Sequence, residues 1–301
     1  MRKRKRNIVY CVLLAVFPLV LMGGGLFFCC RNTGFSIDKI SSRLDYNYSW
    51  EVEPISDRQR EFLIQKVFPQ KFYFLSSGTQ CYAFISEDRQ FVLKFFKMQH
   101  LFPKDWLSNS LLQKIGFKNE SSNELFSERI FETYKAAYEH LREETGLLYM
   151  HLNKTSELFC YATLIDNKGK KFFVNLDSVE FMLQQKAQKI YEHLDELVKE
   201  ENDRDLKICI RSFLQLIATR CEKGFADQDL SIRKNFGFVG NKAIQIDCVT
   251  LTPDSSMKYP LNFRNAVLQA AEHLDEWAQA IYPEATLYIQ EEAQKIINQS
   301  F

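Results

Sequence analysis

Net charge is nearly absent from this sequence: 39 Lys and Arg stand against 38 Asp and Glu, leaving +1 over 301 residues. That balance calls for no acidic partner, and no basic patch interleaved with aromatics marks a nucleic-acid surface. Cysteine pairing is absent too. Beyond residue 30 the five cysteines, Cys81, Cys160, Cys209, Cys221 and Cys248, are scattered and never form C-x-x-C. Neither a disulfide framework nor a zinc site is signalled, and they read as small buried hydrophobes. The histidines, His100, His140, His151, His193 and His273, show no metal-ligand spacing such as H-E-x-x-H. No G-x-S-x-G elbow offers a serine nucleophile, and no internal repeat or low-complexity tract appears.

What the chain does have begins at its N-terminus. Residues 1–7 are a basic run, Met1-Arg-Lys-Arg-Lys-Arg6. From Ile8 to Cys30 no charged side chain occurs, and a helix of that length reaches across a hydrocarbon core of roughly 30 Å. Residues 8–30 are therefore expected to be one transmembrane helix seated in a lipid bilayer. A cleaved signal would have a shorter apolar stretch and a small-residue cleavage site, whereas here Leu26-Phe27-Phe28 follow Gly23-Gly24-Gly25. The basic run suits an anionic leaflet, at about 1 kcal/mol per residue, and predicts a cytoplasmic N-terminus. That orientation puts the globular part on the far side of the membrane, where ATP is scarce, and so argues against catalysis with ATP. Residues 31–60 read as a juxtamembrane linker, and 61–301 as a globular domain large enough for a sizeable core.

Within that domain three strands are expected, Lys71–Leu75, Cys81–Ile85 and Phe91–Phe96, as an antiparallel meander. A helix follows over about Asn123–Glu144, ending near Gly146, with Phe126, Ile130, Tyr134, Ala137 and Leu141 on one face. Leu158–Ile165 and Lys171–Asn175 form a hairpin candidate, and Leu147–Leu152 fits strand or helix. The second half reads as mainly helical. Asp177 and Glu180 resemble a capping box opening a helix to about Lys199, and another spans about Asp205–Glu222. Short strands Phe236–Val239 and Ala243–Ile246 flank Gly240-Asn241, and helices over 263–281 and 284–298 are separated by Pro283. The expected architecture is α+β, with an antiparallel-sheet lobe (61–176) followed by a mainly helical lobe (177–301).

Five residues stand where chemistry could be done. Lys94, inside Phe91-Val-Leu-Lys-Phe-Phe96, must reach solvent or a buried anion. Gly78, in the Ser77-Gly-Thr79 turn, could offer a backbone N–H to phosphate. Asp229, Asn235 and Asp247 gather at one edge of the late hairpin, and two carboxylates with an amide oxygen are hard ligands that suit Mg²⁺ with a nucleotide. Taken singly, each has a plainer meaning. Lys94 fits an exposed strand lysine, Asp227 and Asp229 fit turn residues, and Asn235-Phe-Gly fits a turn into a strand.

In this order, Phe91-Val-Leu-Lys94, Asp229…Asn235 and Ile246-Asp247 resemble the protein-kinase-like superfamily over residues 65–250. The resemblance implies a two-lobed kinase-like domain that takes ATP and Mg²⁺. It implies Gly78 and Lys94 at the nucleotide phosphates, Asp229 as catalytic base, and Asn235 with Asp247 at the metal. The chain departs from the pattern in several places. One glycine replaces three in the phosphate loop, Asp229 and Asn235 are six apart where the family has five, and Asp247-Cys248-Val249 replaces D-F-G. Glu124 is the favoured ion-pair partner for Lys94, ahead of Glu128 and Glu132. A second reading is a non-catalytic, membrane-tethered interaction module, with the surplus among 26 phenylalanines serving a protein partner.

Overall fold

A computed structural model describes residues 34–41, 44–98 and 121–300. The basic run and the expected span over 8–30 lie outside the described residues. Among the described residues, no helix is long and apolar enough to cross a membrane. The chain divides after Ser36, and Ile37–Phe301 form one unit; residues 34–36 have neither helix nor strand.

The expected linker over 31–60 is corrected from residue 37 onward, because this stretch contributes to the core. Ile40 is fully buried, and Trp50 is buried with its ring edge-on to Phe131 at 4.9 Å. Helix α1 (Asp57–Phe62) starts on a capping box in which Ser56 accepts from the Gln59 N–H and the Gln59 side chain returns the bond.

Strands β1 (Lys71–Ser77), β2 (Cys81–Ser86) and β3 (Phe91–Phe96) form the expected meander. Helix α2 (Ser121–His140) and the single turn α3 (Arg142–Thr145) follow, closed by Gly146 in the left-handed region at φ +63°. Then come β4 (Leu147–His151), β5 (Tyr161–Ile165), β6 (Lys171–Asn175) and β7 (Phe181–Gln185). These seven strands make one sheet, in the order β4-β7-β3-β2-β1-β5-β6. It is mixed, where an antiparallel sheet was expected: β5 runs parallel to β1, pairing Lys71 with Thr163 and Tyr73 with Ile165. Central β3 is hydrophobic on both faces, as a strand flanked on each edge and covered above and below must be.

The helix expected over 177–199 is also corrected. Phe181–Gln185 lie in the sheet between β3 and β4, so the sheet runs past the expected lobe boundary at 176. Val179, Leu183, Ala187 and Ile190 happen to fall at helical spacing, and non-local strand pairing overrides that pattern. Asp177 is not a cap here. It is buried, and its carboxylate accepts from the Phe159 N–H at 3.2 Å and from the Thr155 hydroxyl.

After β8 (Gln188–Lys189) the helices take over: α4 (Ile190–Lys199) and α5 (Asp203–Glu222). Asn202 caps α5 by accepting from the Asp205 N–H, with Asp203 and Asp205 favourably placed at the positive end of the helix. β9 (Phe225–Asp227), the turn α6 (Ile232–Asn235), β10 (Phe236–Val239), β11 (Lys242–Gln245) and β12 (Leu251–Pro253) precede α7 (Pro260–Ile281) and α8 (Ala285–Ser300). Leu206, Ile210, Phe213, Ile217 and Cys221 of α5 are buried in one core with residues of α4, α7 and α8. The fold is thus α+β, a mixed sheet followed by a helical half.

One buried histidine in β4 makes the fold sensitive to acid. His151 is held by the Val179 carbonyl, 2.8 Å from Nδ1, and by the Thr155 hydroxyl, 3.1 Å from Nε2. Burial pushes its pKa below the ordinary 6.5, against the Val179 carbonyl and the Asp177 carboxylate, which favour the charged form. The unfolded chain therefore takes up this proton at a higher pH than the folded one. The associated stability is complete above the unfolded pKa and declines as the pH falls through about 6.5 toward the lower folded value. Urea midpoints measured between about pH 7 and pH 5 are expected to fall less steeply in His151→Gln than in the parent. Parallel slopes in the two proteins would show that His151 is not the group responsible.

Candidate functional site

Lys94 sits at the middle of β3, opposite Ala83 of β2 and Met182 of β7. Its ammonium is half-buried and donates to the Ile246 carbonyl at 2.7 Å, across 152 residues of sequence. Gln184 of β7 reaches the same carbonyl at 3.3 Å and the Thr145 carbonyl at 2.6 Å. The face of the sheet is thereby joined to the end of β11.

Asp247 follows immediately. The Ile246 and Asp247 N–H groups both donate to the Asn235 carbonyl, at 2.6 and 3.4 Å, and Asp247 Oδ1 accepts from the Val249 N–H at 3.2 Å. Asn235 is buried, and its amide donates to the Asp229 carbonyl at 3.0 Å. Asp229 is exposed, with Oδ1 accepting from the Ser231 N–H at 3.1 Å. Four of the five residues singled out from the sequence thus form one connected chain: Lys94, Asp247, Asn235 and Asp229.

Beneath them lies a polar network that sequence reasoning did not find as a unit. The Asp227 carboxylate is fully buried and accepts from Arg220 Nη1 (3.2 Å), Gln245 Nε2 (2.8 Å) and the Thr250 hydroxyl (2.6 Å). It also accepts from the Asp229 N–H at 3.1 Å. Gln245 donates in turn to the Asp247 carbonyl at 3.1 Å. One carboxylate therefore ties together the two loops that carry Asp229 and Asp247. Arg220, on α5, is only 2% exposed; burial pulls its pKa down while Asp227 opposes that shift. Position within α5 was the signal that could have found it. Arg220 stands three residues after Ile217 and seven after Phe213, on the helix's apolar face, so an arginine there needs a buried acid.

Gly78 is differently placed. Its N–H donates to the Cys81 carbonyl at 3.0 Å, closing the β1–β2 turn, and its own carbonyl accepts from the Lys97 ammonium. A Cβ at Gly78 would meet nothing nearer than the Cys81 carbonyl at 3.8 Å, so the turn does not require glycine. Lys97 also lies over the Tyr82 ring at 4.6 Å, and burial lowers its pKa. The Cys81 thiol lies beside this turn, at the start of β2. Burial pushes it up to about 12, with the Lys94 charge opposing and the Asp247 charge reinforcing the shift. Cys248 is raised by the same burial, so neither thiol is a ready thiolate nucleophile.

No family model and no curated protein matches this chain. Seven chains of solved structures match. One is a crystal structure of WbdD, 14% identical, covering 75% of this chain and 50% of that one with a TM-score of 0.32. This chain thus spans about half of that structure's length. These findings correct the assignment drawn from the motifs: the chain is not placed in the protein-kinase-like superfamily behind a transmembrane anchor. What stands is the α+β fold with its mixed sheet and helices.

A glutamate partner for Lys94 is not found either. Among the described residues no carboxylate pairs with it. The Glu124 side chain lies outside the description, Glu128 is half-buried and Glu132 is exposed. Tyr134 is the α2 residue that approaches this region. It packs on Phe96 at 5.3 Å, and burial raises the pKa of its hydroxyl, with Cys81 and Asp247 adding to the shift. Nor does any group of three His, Cys, Asp or Glu among the described residues suit a metal ion. Asp247 and Asn235 are the residues that could contribute to holding Mg²⁺, which is commonly bound by one or two carboxylates together with substrate phosphates.

Proposed function

We propose that the residues around Lys94 and Asp247 bind a magnesium nucleotide and support phosphoryl transfer. What carries the proposal is the direction of Lys94. Its ammonium ends on the carbonyl directly before Asp247, and the Asp247 N–H shares the Asn235 carbonyl. Lys94 neutralises phosphate charge as a compact cation, and Asp247 with Asn235 holds the metal, which screens charge on the transferring group. Asp229, the exposed carboxylate, takes the proton of the acceptor hydroxyl as its oxygen bonds to phosphorus and the nucleoside diphosphate leaves. The Asp227 network positions Asp229 and Asp247 relative to each other.

Thermal unfolding of the full chain with and without Mg-ATP tests this. At a ligand concentration about 100 times Kd, stabilisation of about 2.7 kcal/mol is expected. The shift should disappear in Lys94→Met and shrink in Asp247→Asn. Absence of any shift at millimolar Mg-ATP rules out nucleotide binding. A second reading is a non-catalytic interaction module, favoured by the engaged N–H of Gly78. Stabilisation by Mg-ATP without phosphate release on incubation would select nucleotide binding without catalysis.

A further inference from the structure

An open surface depression of about 380 Å³ lies where three connections meet: the β2–β3 turn, the residues between β7 and α4, and the β10–β11 turn. Ile85, Arg89, Lys186, Gln188, Phe238 and Val239 build its wall, and none of them carries the site around Lys94 and Asp247. The volume falls in the range of small-molecule pockets, about 300–1,000 Å³.

Parts of the wall are held in advance. Gln188 donates to Glu196 at 2.6 Å and is 3.1 Å from His193 Nδ1 through its other amide atom. The His193 ring lies 5.1 Å from that of Phe238, which is buried. Ile85, Phe238 and Val239 supply an apolar surface. Two cations share the space. Lys186 is half-buried, its ammonium turned back onto the Ala187 carbonyl. Burial lowers its pKa, with Glu192 opposing and Lys189 adding to the drop. Arg89 stands on the facing turn, in the left-handed region at φ +60°, with its N–H on the Ser86 carbonyl at 2.9 Å. Among the described residues neither has a carboxylate within ion-pair distance. A half-buried ammonium that meets only a neighbouring carbonyl keeps two donors unused by the protein, and an anion can take them.

We propose that this depression binds a small organic anion, its charged head group between Arg89 and Lys186 and its apolar body on Ile85, Phe238 and Val239. The site is independent of the nucleotide proposal, because the two share no residue.

The test is a fluorine NMR titration of the full chain with 4-(trifluoromethyl)benzoate, its neutral amide, and the corresponding phenyl phosphate. Saturable binding of the benzoate or the phosphate is expected, at least about tenfold tighter than that of the amide. The preferred anion distinguishes a carboxylate ligand from a phosphate one. Binding should weaken by at least about tenfold in an Arg89→Gln, Lys186→Gln double variant and stay unchanged in Lys94→Met. Thermal unfolding of the double variant checks that it is folded. Equal affinity for acid and amide, undiminished binding by the folded double variant, or no binding of either anion overturns the site. Displacement of the anion by Mg-ATP overturns its independence and assigns the depression to the nucleotide.

Discussion

Replacing Arg220 with methionine is expected to destabilise the fold by about 3–5 kcal/mol, because it leaves the buried Asp227 carboxylate without its cation. Asp227 would keep the Gln245, Thr250 and Asp229 donors, which satisfy its lone pairs but not its charge. The pair is not itself a large source of stability. Arg220 Nε is buried without a partner, and desolvating two ions offsets much of their attraction. The second arm of the experiment follows from this. An Arg220→Met, Asp227→Asn double variant removes both charges and is expected to recover much of the loss, since an isosteric amide needs no counter-ion. Urea unfolding of the parent, both single variants and the double variant gives the coupling directly. A loss below about 1 kcal/mol in Arg220→Met would mean that Asp227 is not held as a charge by this arginine. For the proposed phosphoryl transfer the consequence goes beyond stability: the Asp227 carboxylate accepts from the Asp229 N–H, so the double variant is expected to regain stability and still misplace Asp229. Loss of phosphoryl transfer with Mg-ATP binding retained is the signature expected of a positioning residue.

The parts of the fold that were legible in the sequence are those whose pattern is local. β3 was bounded at Phe91 and Phe96, and β1 and β2 came within two residues. α5 announced itself through the stripe from Leu206 to Cys221, and α7 and α8 are separated where Pro283 stands. What failed was set by distant partners. Phe181–Gln185 has helical spacing in its flanks and becomes a strand because β3 and β4 lie on either side of it. The parallel pairing of β5 with β1 has no local signature at all. Trp50 looked like linker because the residues it buries against lie some 80 positions later, on α2. The site divides in the same way. Lys94 and Asp247 could be named because a charge inside or at the end of an apolar strand needs a partner. Gly78 was named for a free amide that the β1–β2 turn uses itself, and Arg220 was missed because its acid lies in another element.

Gly237 carries the second large effect expected. A Cβ there would stand 2.3 Å from the Gln188 carbonyl oxygen, 2.9 Å from Ile246 Cδ1 and 3.0 Å from Ala187 Cβ. The first of these is backbone, held by pairing of Gly237 with Lys189 and Phe238 with Gln188, so it cannot swing aside as a side chain would. Gly237→Ala must therefore push β8 away from β10, at a cost of about 1–3 kcal/mol or more. Two other glycines give the controls. Gly78→Ala meets only the Cys81 carbonyl at 3.8 Å and should be close to neutral. Gly240→Ala meets nothing within 4 Å but sits at φ +56°, so it should cost about 1–2 kcal/mol from conformation alone. The added methyl also crowds Ala187, just before β8, and Ile246 Cδ1, the side-chain end of the residue whose carbonyl Lys94 meets. Gly237→Ala is thus expected to weaken the proposed Mg-ATP binding as well as stability, whereas Gly240→Ala should lower stability and leave Mg-ATP binding unchanged. Denaturant midpoints and Mg-ATP thermal shifts on the three variants separate these outcomes. If Gly237→Ala proves as mild as Gly78→Ala, the close packing of β8 on β10 does not hold and the coupling between that contact and Lys94 goes with it.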